Sequence, residues 1–152
     1  MASAGGGGLD FPQYVAIDGS GNAWTANEVG NSLSEFNSSG VANSSSPFTG
    51  GGLNIPNAVA VDGSGRVWIA NGFGYGGVSE FSPAGSAICG KNGYSAGTTS
   101  STGIALDGSG NVWAIGGTGV VEFVGVATPV VTPIVANLLP PYASNNSTVN
   151  KP

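Results

Sequence analysis

The acidic residues are the side chains whose type and spacing could support chemistry. The chain has eight of them, and six recur at fixed places in three similar segments. Three open a Gly-rich turn (Asp18, Asp62 and Asp107), and three precede a phenylalanine (Glu35, Glu80 and Glu122). An active site needs an asymmetric set of groups, so this recurrence favours a structural role for the six residues over a catalytic one. The aspartates are predicted to cap turns, and the glutamates to hydrogen-bond between strands or blades.

Histidine is absent from all 152 residues. This absence excludes His general bases, Ser-His-Asp and Cys-His nucleophilic pairs, and the usual zinc and haem ligand sets. Cys89 has no second cysteine to pair with in the chain, and it is predicted to be a small buried or half-buried filler and not a reactive thiol. We therefore predict no catalytic residue, no metal ligand and no enzymatic activity.

The amino-acid composition limits which binding partners and which cellular location we expect for this chain. Three basic residues and a net charge of −5 provide no cationic cluster, so neither nucleic acid nor an acidic membrane surface is expected as a partner. Neither a signal peptide nor a membrane span is predicted. Few charges and abundant Ser, Asn, Thr and Gly are typical of secreted or cell-surface proteins, which is where we expect this chain, with any export signal left out or removed.

A repeat with a period of roughly 45 residues organises the chain. The segments Val15–Trp24, Val59–Trp68 and Ile104–Trp113 each contain an apolar run, the turn Asp-Gly-Ser-Gly and a tryptophan three residues after that turn. Glycine accepts positive φ, and the aspartate can bond nearby backbone N–H groups. Each segment is therefore predicted to form a β-hairpin.

Each unit is predicted to contain four antiparallel strands. In the second unit the first three are Ala58–Val61, Val67–Ala70 and Val78–Phe81, and a weaker outer strand is expected within Ala87–Tyr94, as within Ser44–Phe48 of the first unit. Successive apolar residues, as in Val-Trp-Ile-Ala, indicate that both faces of each sheet are covered. Small sheets stacked face to face at this period are the blades of a β-propeller.

The positions of small and large residues fit such wedge-shaped blades. Ala16, Ala60 and Ala105 suit the narrow inner strand. Trp24, Trp68 and Trp113, one strand further out, are predicted to fill the widening space between blades.

The repeated units resemble NHL-type propeller repeats and are similar to those of streptogramin lyase (virginiamycin B lyase) proteins. The resemblance rests on Pro-x-x-Val-Ala-Val-Asp-Gly-Ser-Gly-Asn-Val-Trp-x-Ala-Asn followed by Val-Ser-Glu-Phe, and it covers Leu9 to Phe123. It implies an all-β propeller, commonly with six blades, and raises calcium-dependent lactonases as relatives. Streptogramin-cleaving members use His residues with a divalent metal, which this chain cannot supply.

Three blades are half of a six-bladed ring, and closure by self-association, most simply as a homodimer, is predicted. The alternatives are a fragment of a longer chain and an open fibre. Residues 1–8 are predicted to be a flexible Gly-rich leader, 9–142 the three-bladed unit (blades about 9–50, 51–97 and 98–136) and 143–152 a polar tail. Pro129–Ala136 is expected to form the outer strand of the third blade, or else to cross to another subunit.

The predicted ligand-binding residues lie in the loops at one mouth of the channel. They are Asn27, Glu28, Asn71, Phe73 and Tyr75. The aromatic pair would stack on a carbohydrate or a peptide, and Ca²⁺ is the one cofactor that the oxygen atoms would suit. The predicted function is a non-catalytic, self-assembling binding scaffold. The alternatives are a subunit of an extracellular fibre and a calcium-assisted lactonase- or lyase-like enzyme with its site at this mouth.

Overall fold

The computed structural model describes residues 6–73, 77–95, 97, 100–117 and 119–130. Within these residues the protein is all-β, with three sheets of three antiparallel strands joined in chain order. The first sheet has β1 (Pro12–Ile17), β2 (Ala23–Asn27) and β3 (Ser32–Phe36). The second has β4 (Pro56–Val61), β5 (Val67–Asn71) and β6 (Val78–Phe81). The third has β7 (Gly103–Leu106), β8 (Val112–Gly116) and β9 (Gly119–Phe123).

No helix occurs in the described part of the chain, so none there is long and apolar enough to cross a membrane.

The aspartates cap the hairpin turns, as predicted. Asp18 Oδ1 accepts the backbone N–H groups of Ser20 and Asn22 at 2.8 and 2.9 Å, and the turns at Asp62 and Asp107 repeat this arrangement. The last glycine of each turn has φ between 81° and 84° (Gly21, Gly65 and Gly110), which a side chain would strain. The sequence therefore closes the same turn three times.

The tryptophan after each turn is tied to the same aspartate. The indole Nε1–H of Trp24 donates to Asp18 Oδ2 at 3.2 Å, and that of Trp113 donates to Asp107 Oδ2 at 3.0 Å. In the β1–β2 register Ala16 lies opposite Trp24. The small residue is therefore on the first strand and the large one on the second, as predicted. The hydrogen bond from the turn aspartate thus holds the orientation of the indole ring that packs between neighbouring sheets.

Two apolar clusters lie between the sheets and cover the middle sheet on both faces. The first joins Trp24, Ala26, Leu33 and Phe48 to Val67, Ile69 and Phe81. The second joins Trp68 and Val78 to Val112 and Ala114, with Ala127. Cys89 is also buried and is a free thiol, as expected. The core is therefore the space between stacked sheets, which is what the non-alternating apolar strands require.

In the first two units the predicted fourth strand, within Ser44–Phe48 and Ala87–Tyr94, is not formed as a continuous strand. In its place the outer segment makes isolated bridges, Phe36 to Ala42 and Leu33 to Phe48 in the first unit, with equivalent bridges in the second. A side chain interrupts the ladder, because Glu35 N donates to the Ser46 hydroxyl at 2.9 Å, and Pro47 has no N–H to donate. In the second unit the Cys89 thiol takes the hydroxyl's role, accepting Glu80 N at 3.2 Å.

The described part of the Gly-rich leader, residues 6–8, contacts the first sheet. Ser34 Oγ donates to Gly7 O at 2.6 Å. A Cβ on Gly8 would lie 2.5 Å from the Pro47 ring, so the glycine allows this close approach. Gly51 O accepts Ser79 Oγ at 2.6 Å in the second unit, and the lead-in is therefore part of the repeat.

The segment after β9 leaves the third sheet and crosses to the turn of the second. Ala127 N donates to Gly110 O at 2.9 Å, and Thr128 N donates to Asp62 Oδ2 at 3.0 Å. These bonds do not extend the third sheet along β9. The predicted outer strand at 129–136 lies outside the described residues beyond Val130, as does the predicted polar tail at 143–152.

Among the residues that the structure describes, each end of the stack of sheets carries exposed apolar side chains. The third-sheet flank, defined here as Trp113, Ile115 and Val120, is 37%, 50% and 62% exposed, respectively. The first-sheet flank, defined as Val15 and Ile17, is 65% and 62% exposed. Trp24 and Trp68, the repeat equivalents of Trp113, are 0% and 1% exposed. The same side chain is therefore buried wherever another sheet follows it.

Candidate functional site

The predicted channel mouth comprises the loops that enter the first strand of each sheet and the loops that join the second and third strands. Since the strands of each sheet alternate in direction, these loops lie at the edge opposite the Asp-Gly-Ser-Gly turns. The predicted binding residues lie at this edge. Asn27 and Asn71 end β2 and β5, and Glu28 and Phe73 lie in the loops that follow.

Asn27 and Asn71 are fully buried and hold the mouth together. Asn27 Nδ2 donates to the hydroxyls of Ser32 and Ser34 at 3.1 and 2.9 Å, while its Oδ1 accepts the backbone N–H of Asp10 at 3.4 Å. Asn71 is bonded in the same way in the second unit. Both ends of each amide are thus engaged within the fold, which gives these two predicted ligand-binding residues a structural role.

The other predicted residues are placed differently. Glu28 is half-buried and accepts Gln13 Nε2 at 2.6 Å. Phe73 is 66% exposed, so its ring is available at the mouth. Tyr75 lies outside the described residues. The structure therefore brings an aromatic ring and a carboxylate to this edge but does not pair them, and ligand binding there stays a prediction.

Two exposed residues at the mouth, Phe11 and Ile55, were missed by the sequence reasoning. They occupy equivalent places before a proline, and their φ angles are 55° and 52°, a conformation that is rare for bulky side chains. Hydrogen bonds hold it, since Phe11 O accepts Glu28 N at 3.1 Å and Ile55 O accepts Gly72 N at 2.7 Å. The repeated Leu-Asp-Phe-Pro and Leu-Asn-Ile-Pro lead-ins were the available clue.

Backbone strain of this kind is often located at binding sites. Phe11 is 60% exposed and Ile55 36%, so both strained positions display apolar side chains to solvent. With Phe73 and the 61% exposed Val29, they define what we call the mouth ridge. This surface can contact an apolar face of a ligand but carries no group for proton transfer.

The third unit contributes less to the mouth. Gly116 takes the place of Asn71, and a Cβ there would lie 1.7 Å from the backbone oxygen of Ser100. Ser100 Oγ instead donates to Gly72 O at 2.7 Å. The third lead-in is therefore bonded to the second unit's loop, and its backbone occupies the space that a side chain at position 116 would need.

No group of three or more His, Cys, Asp or Glu side chains that could hold a metal ion occurs among the residues that the structure describes. Two acidic residues, Asp10 and Glu28, lie at the mouth, and they have different hydrogen-bond partners. Asp10 is bonded through its backbone N–H to Asn27, and Glu28 is bonded to Gln13. Binding of Ca²⁺ by oxygen atoms of this edge stays a prediction.

The sequence matches no protein-family model and no curated protein, whereas the fold has clear counterparts. A gluconolactonase from Xanthomonas campestris aligns with 75% of this chain and 37% of its own, at 19% identity and a TM-score of 0.57. Virginiamycin B lyase from Staphylococcus aureus aligns with 77% and 42%, at 14% identity and 0.53. Regucalcin, a calcium-binding protein from Agrobacterium tumefaciens, aligns with 68% and 37%, at 17% identity and 0.50.

The fold is that of β-propeller blades. These neighbours are propeller proteins of the NHL and SMP-30 type, which confirms the predicted resemblance at the level of fold. The chain spans about two fifths of the length of these solved structures. At identities below 20% the comparison supports the shared fold alone, and we call each of the three sheets a blade.

Proposed function

We propose that this chain is half of a six-bladed propeller ring, closed by a second copy of itself, and that the ring is a non-catalytic binding scaffold. The observation that carries the proposal is the 37% exposure of Trp113 against 0% and 1% for Trp24 and Trp68. Exposed apolar faces of this kind mark interaction surfaces on soluble proteins. A location outside the cell stays a prediction.

The two flanks match the two sides of a contact that the chain already makes. Between the first two blades, Ala26 and Val59 belong to one apolar cluster. Ile115 is the repeat equivalent of Ala26, and Val15 is the equivalent of Val59. The third-sheet flank of one copy would therefore pack on the first-sheet flank of another as blades pack within the chain.

Closure distinguishes the ring from a fibre. If three blades span half of the circle, a second copy rotated by a half turn makes both contacts at once and leaves no flank exposed. If the angle between blades differs, the same contact propagates into a fibre. The ring is favoured because the neighbours are propeller proteins of about twice this length.

The mass in solution tests this proposal. We expect about twice the 14.8 kDa chain mass by sedimentation equilibrium. Ile115→Glu and Val15→Lys, each alone, should give monomers, and an equimolar mixture of the two should restore the dimer because the opposite charges then meet. Val41→Lys, on an exposed residue outside both flanks, is the matched control and should remain dimeric. A wild-type protein that stays monomeric at high concentration, or filaments in electron microscopy, would overturn the ring.

The mouth ridge is the part of the proposed scaffold that would take a ligand. Its apolar side chains suit the face of a sugar ring or an apolar peptide side chain, and Phe73 is the most exposed of them. Retention of an oligosaccharide or peptide from an array by the wild type, and its loss in Phe73→Ser but not in Val41→Ser, would support this assignment. Equal loss in both variants would contradict it.

A calcium-assisted enzyme is the second candidate, favoured by the fold of the gluconolactonase, the lyase and regucalcin. A His-to-Ala variant of the lyase is catalytically inactive, and this chain has no His. Any activity would therefore have to rest on carboxylates such as Asp10 and Glu28. Calorimetric titration separates the two functions, since saturable binding of Ca²⁺ at millimolar concentration, lost in Glu28→Gln, would favour the enzyme.

A further inference from the structure

A cleft lies between the second and third blades, at the end of the sheets opposite the mouth ridge. Its volume is about 300 Å³, which is at the lower end of the range for small-molecule sites. Its walls include Tyr94, Phe123, Ile88 and Val126, with Arg66 beside them. Ile88 and Val126 are 45% and 42% exposed, so they form an open apolar rim.

The equivalent place between the first and second blades is closed. Phe48 there packs on Trp24, with ring centroids 5.6 Å apart, and is only 7% exposed. A Cβ on Gly85 would lie 2.2 Å from the Phe48 ring, so the turn of the second blade covers that ring directly. The aromatic residue and the turn together fill the gap.

The second gap stays open because the third blade departs from the repeat. Tyr94 replaces Phe48 and stacks on Trp68 with a centroid distance of 6.0 Å, but it is only half-buried. The turn that follows β9 does not match Ser82–Gly85, since Ala127 and Thr128 are bonded to the turns at Gly110 and Asp62 instead. The cleft is therefore a specific consequence of this sequence and not a feature of every blade contact.

An ion pair with one buried and one exposed partner lies beside the aromatic wall. Arg66 Nη1 and Glu80 Oε1 are 2.8 Å apart, with 43% and 3% of the side chains exposed. The Tyr94 hydroxyl donates to Glu80 Oε2, so both carboxylate oxygens are engaged. The guanidinium has five N–H donors, and its exposure leaves part of this fork facing the cleft.

The charges of the cleft disfavour a charged ligand. An anion that reaches Arg66 also approaches Glu80, and a cation that reaches Glu80 also approaches Arg66. An uncharged group that accepts a hydrogen bond from the guanidinium meets neither repulsion. The rings of Tyr94 and Phe123, with centroids 6.3 Å apart, offer a planar ligand an aromatic surface.

We infer that this cleft binds a small, uncharged, planar ring compound whose carbonyl or hydroxyl oxygen accepts a hydrogen bond from Arg66. The site is separate from the mouth ridge and is built from two blades of one chain. It would therefore be present whether or not the ring closes.

Titration with benzamide, followed by ¹H–¹⁵N NMR, tests the inference on the full chain. We expect saturable shifts with a dissociation constant in the millimolar range, as is usual for a ligand of this size. Benzoate and benzylamine, which have similar shapes but opposite charges, should bind at least tenfold more weakly. The residues that shift should include Tyr94 and Val126 but not Phe73.

Variants separate the cleft from adventitious binding. Val126→Trp should fill the cleft and weaken benzamide binding at least tenfold, whereas Val124→Trp, at a 73% exposed site outside the cleft, should leave it unchanged. Ile88→Trp fills the cleft from the opposite rim if Val126→Trp does not fold. Absence of saturable binding to the folded wild type, equal losses in both valine variants, or tighter binding of either charged analogue would overturn the inference.

Discussion

The second and third blades carry the same motif but differ in what lies beside it. Both contain an Asp-Gly-Ser-Gly turn, a tryptophan opposite an inner alanine and a Glu-Phe pair on the third strand. Trp68 is buried between blades, whereas Trp113 is 37% exposed. The local sequence therefore specifies the sheet, and the neighbouring blade determines how much the sheet contributes to stability.

The largest expected effect is the difference in the free energy of unfolding between alanine variants of Trp68 and Trp113. Trp68→Ala should lower it by about 3–5 kcal/mol, because a large buried side chain is removed from a packed core. Trp113→Ala should lower it by about 1 kcal/mol or less when measured in dilute solution, where the proposed dimer dissociates. Chemical denaturation of both variants at low protein concentration measures the difference.

Equal losses in the two variants would contradict the comparison, since they would mean that Trp113 is buried in the isolated chain. Trp24→Ala is the positive control. Trp24 is 0% exposed, so its variant should resemble Trp68→Ala.

A second difference between the blades lies in their turns. In the third blade Asn111 Nδ2 donates to Asp107 Oδ2 at 2.8 Å. Arg66 replaces that asparagine in the second blade and turns towards Glu80, and Thr128 N then donates to Asp62 Oδ2 at 3.0 Å. One substitution in the repeat thus creates both the ion pair and the bond that holds the segment after β9.

This bond predicts an acid sensitivity centred on Asp62. Burial favours the neutral carboxyl, but hydrogen bonds from Thr128, Ser64 and Arg66 outweigh it and hold the pKa of Asp62 below its usual value of 3.8. The stabilising contribution is therefore complete above pH 3.8 and is lost as the pH falls through the lower pKa of the folded state. Asp62→Asn should lower the free energy of unfolding at neutral pH by about 1–3 kcal/mol.

Denaturation series at several pH values check this expectation. The curve of Asp62→Asn should be flatter than that of the wild type below pH 3.8, because one linked proton has been removed. Parallel curves would mean that the Thr128 contact does not depend on the charge of Asp62.

Much of the fold was predictable because the same pattern of residue types occurs three times in the sequence. The period, the Asp-capped turns, the inner alanines and the tryptophans between blades all follow from residue types at fixed spacing. The outer strand was not predictable in the same way. In the first two units one backbone N–H of the third strand donates to a side chain, Ser46 Oγ or Cys89 Sγ, where a strand partner would offer a carbonyl. No periodic pattern in the sequence distinguishes such an interrupted edge from a continuous strand.

The candidate site was less accessible from the sequence. Asn27 and Asn71 suggest ligand binding by residue type, but their partners, the serines of the third strand, become visible only in the register. Phe11 and Ile55 were passed over because a residue before proline is normally extended, whereas both are left-handed here. The cleft beside Tyr94 depends on where the segment after β9 leaves the third blade. No local sequence pattern predicts that point.

The smallest expected effect concerns Tyr94, whose counterpart Phe48 has no ionisable group. Burial and the Glu80 carboxylate raise the pKa of Tyr94 to about 12 from its usual 10.0. We therefore expect an ultraviolet titration of the four tyrosines to include one step near pH 12, absent in Tyr94→Phe. The contribution to stability is complete below pH 10 and is lost as the pH rises through 12. If the variant keeps the high-pH step, the step does not come from Tyr94, and the hydrogen bond from its phenol to Glu80 does not distinguish the open second gap from the closed first one.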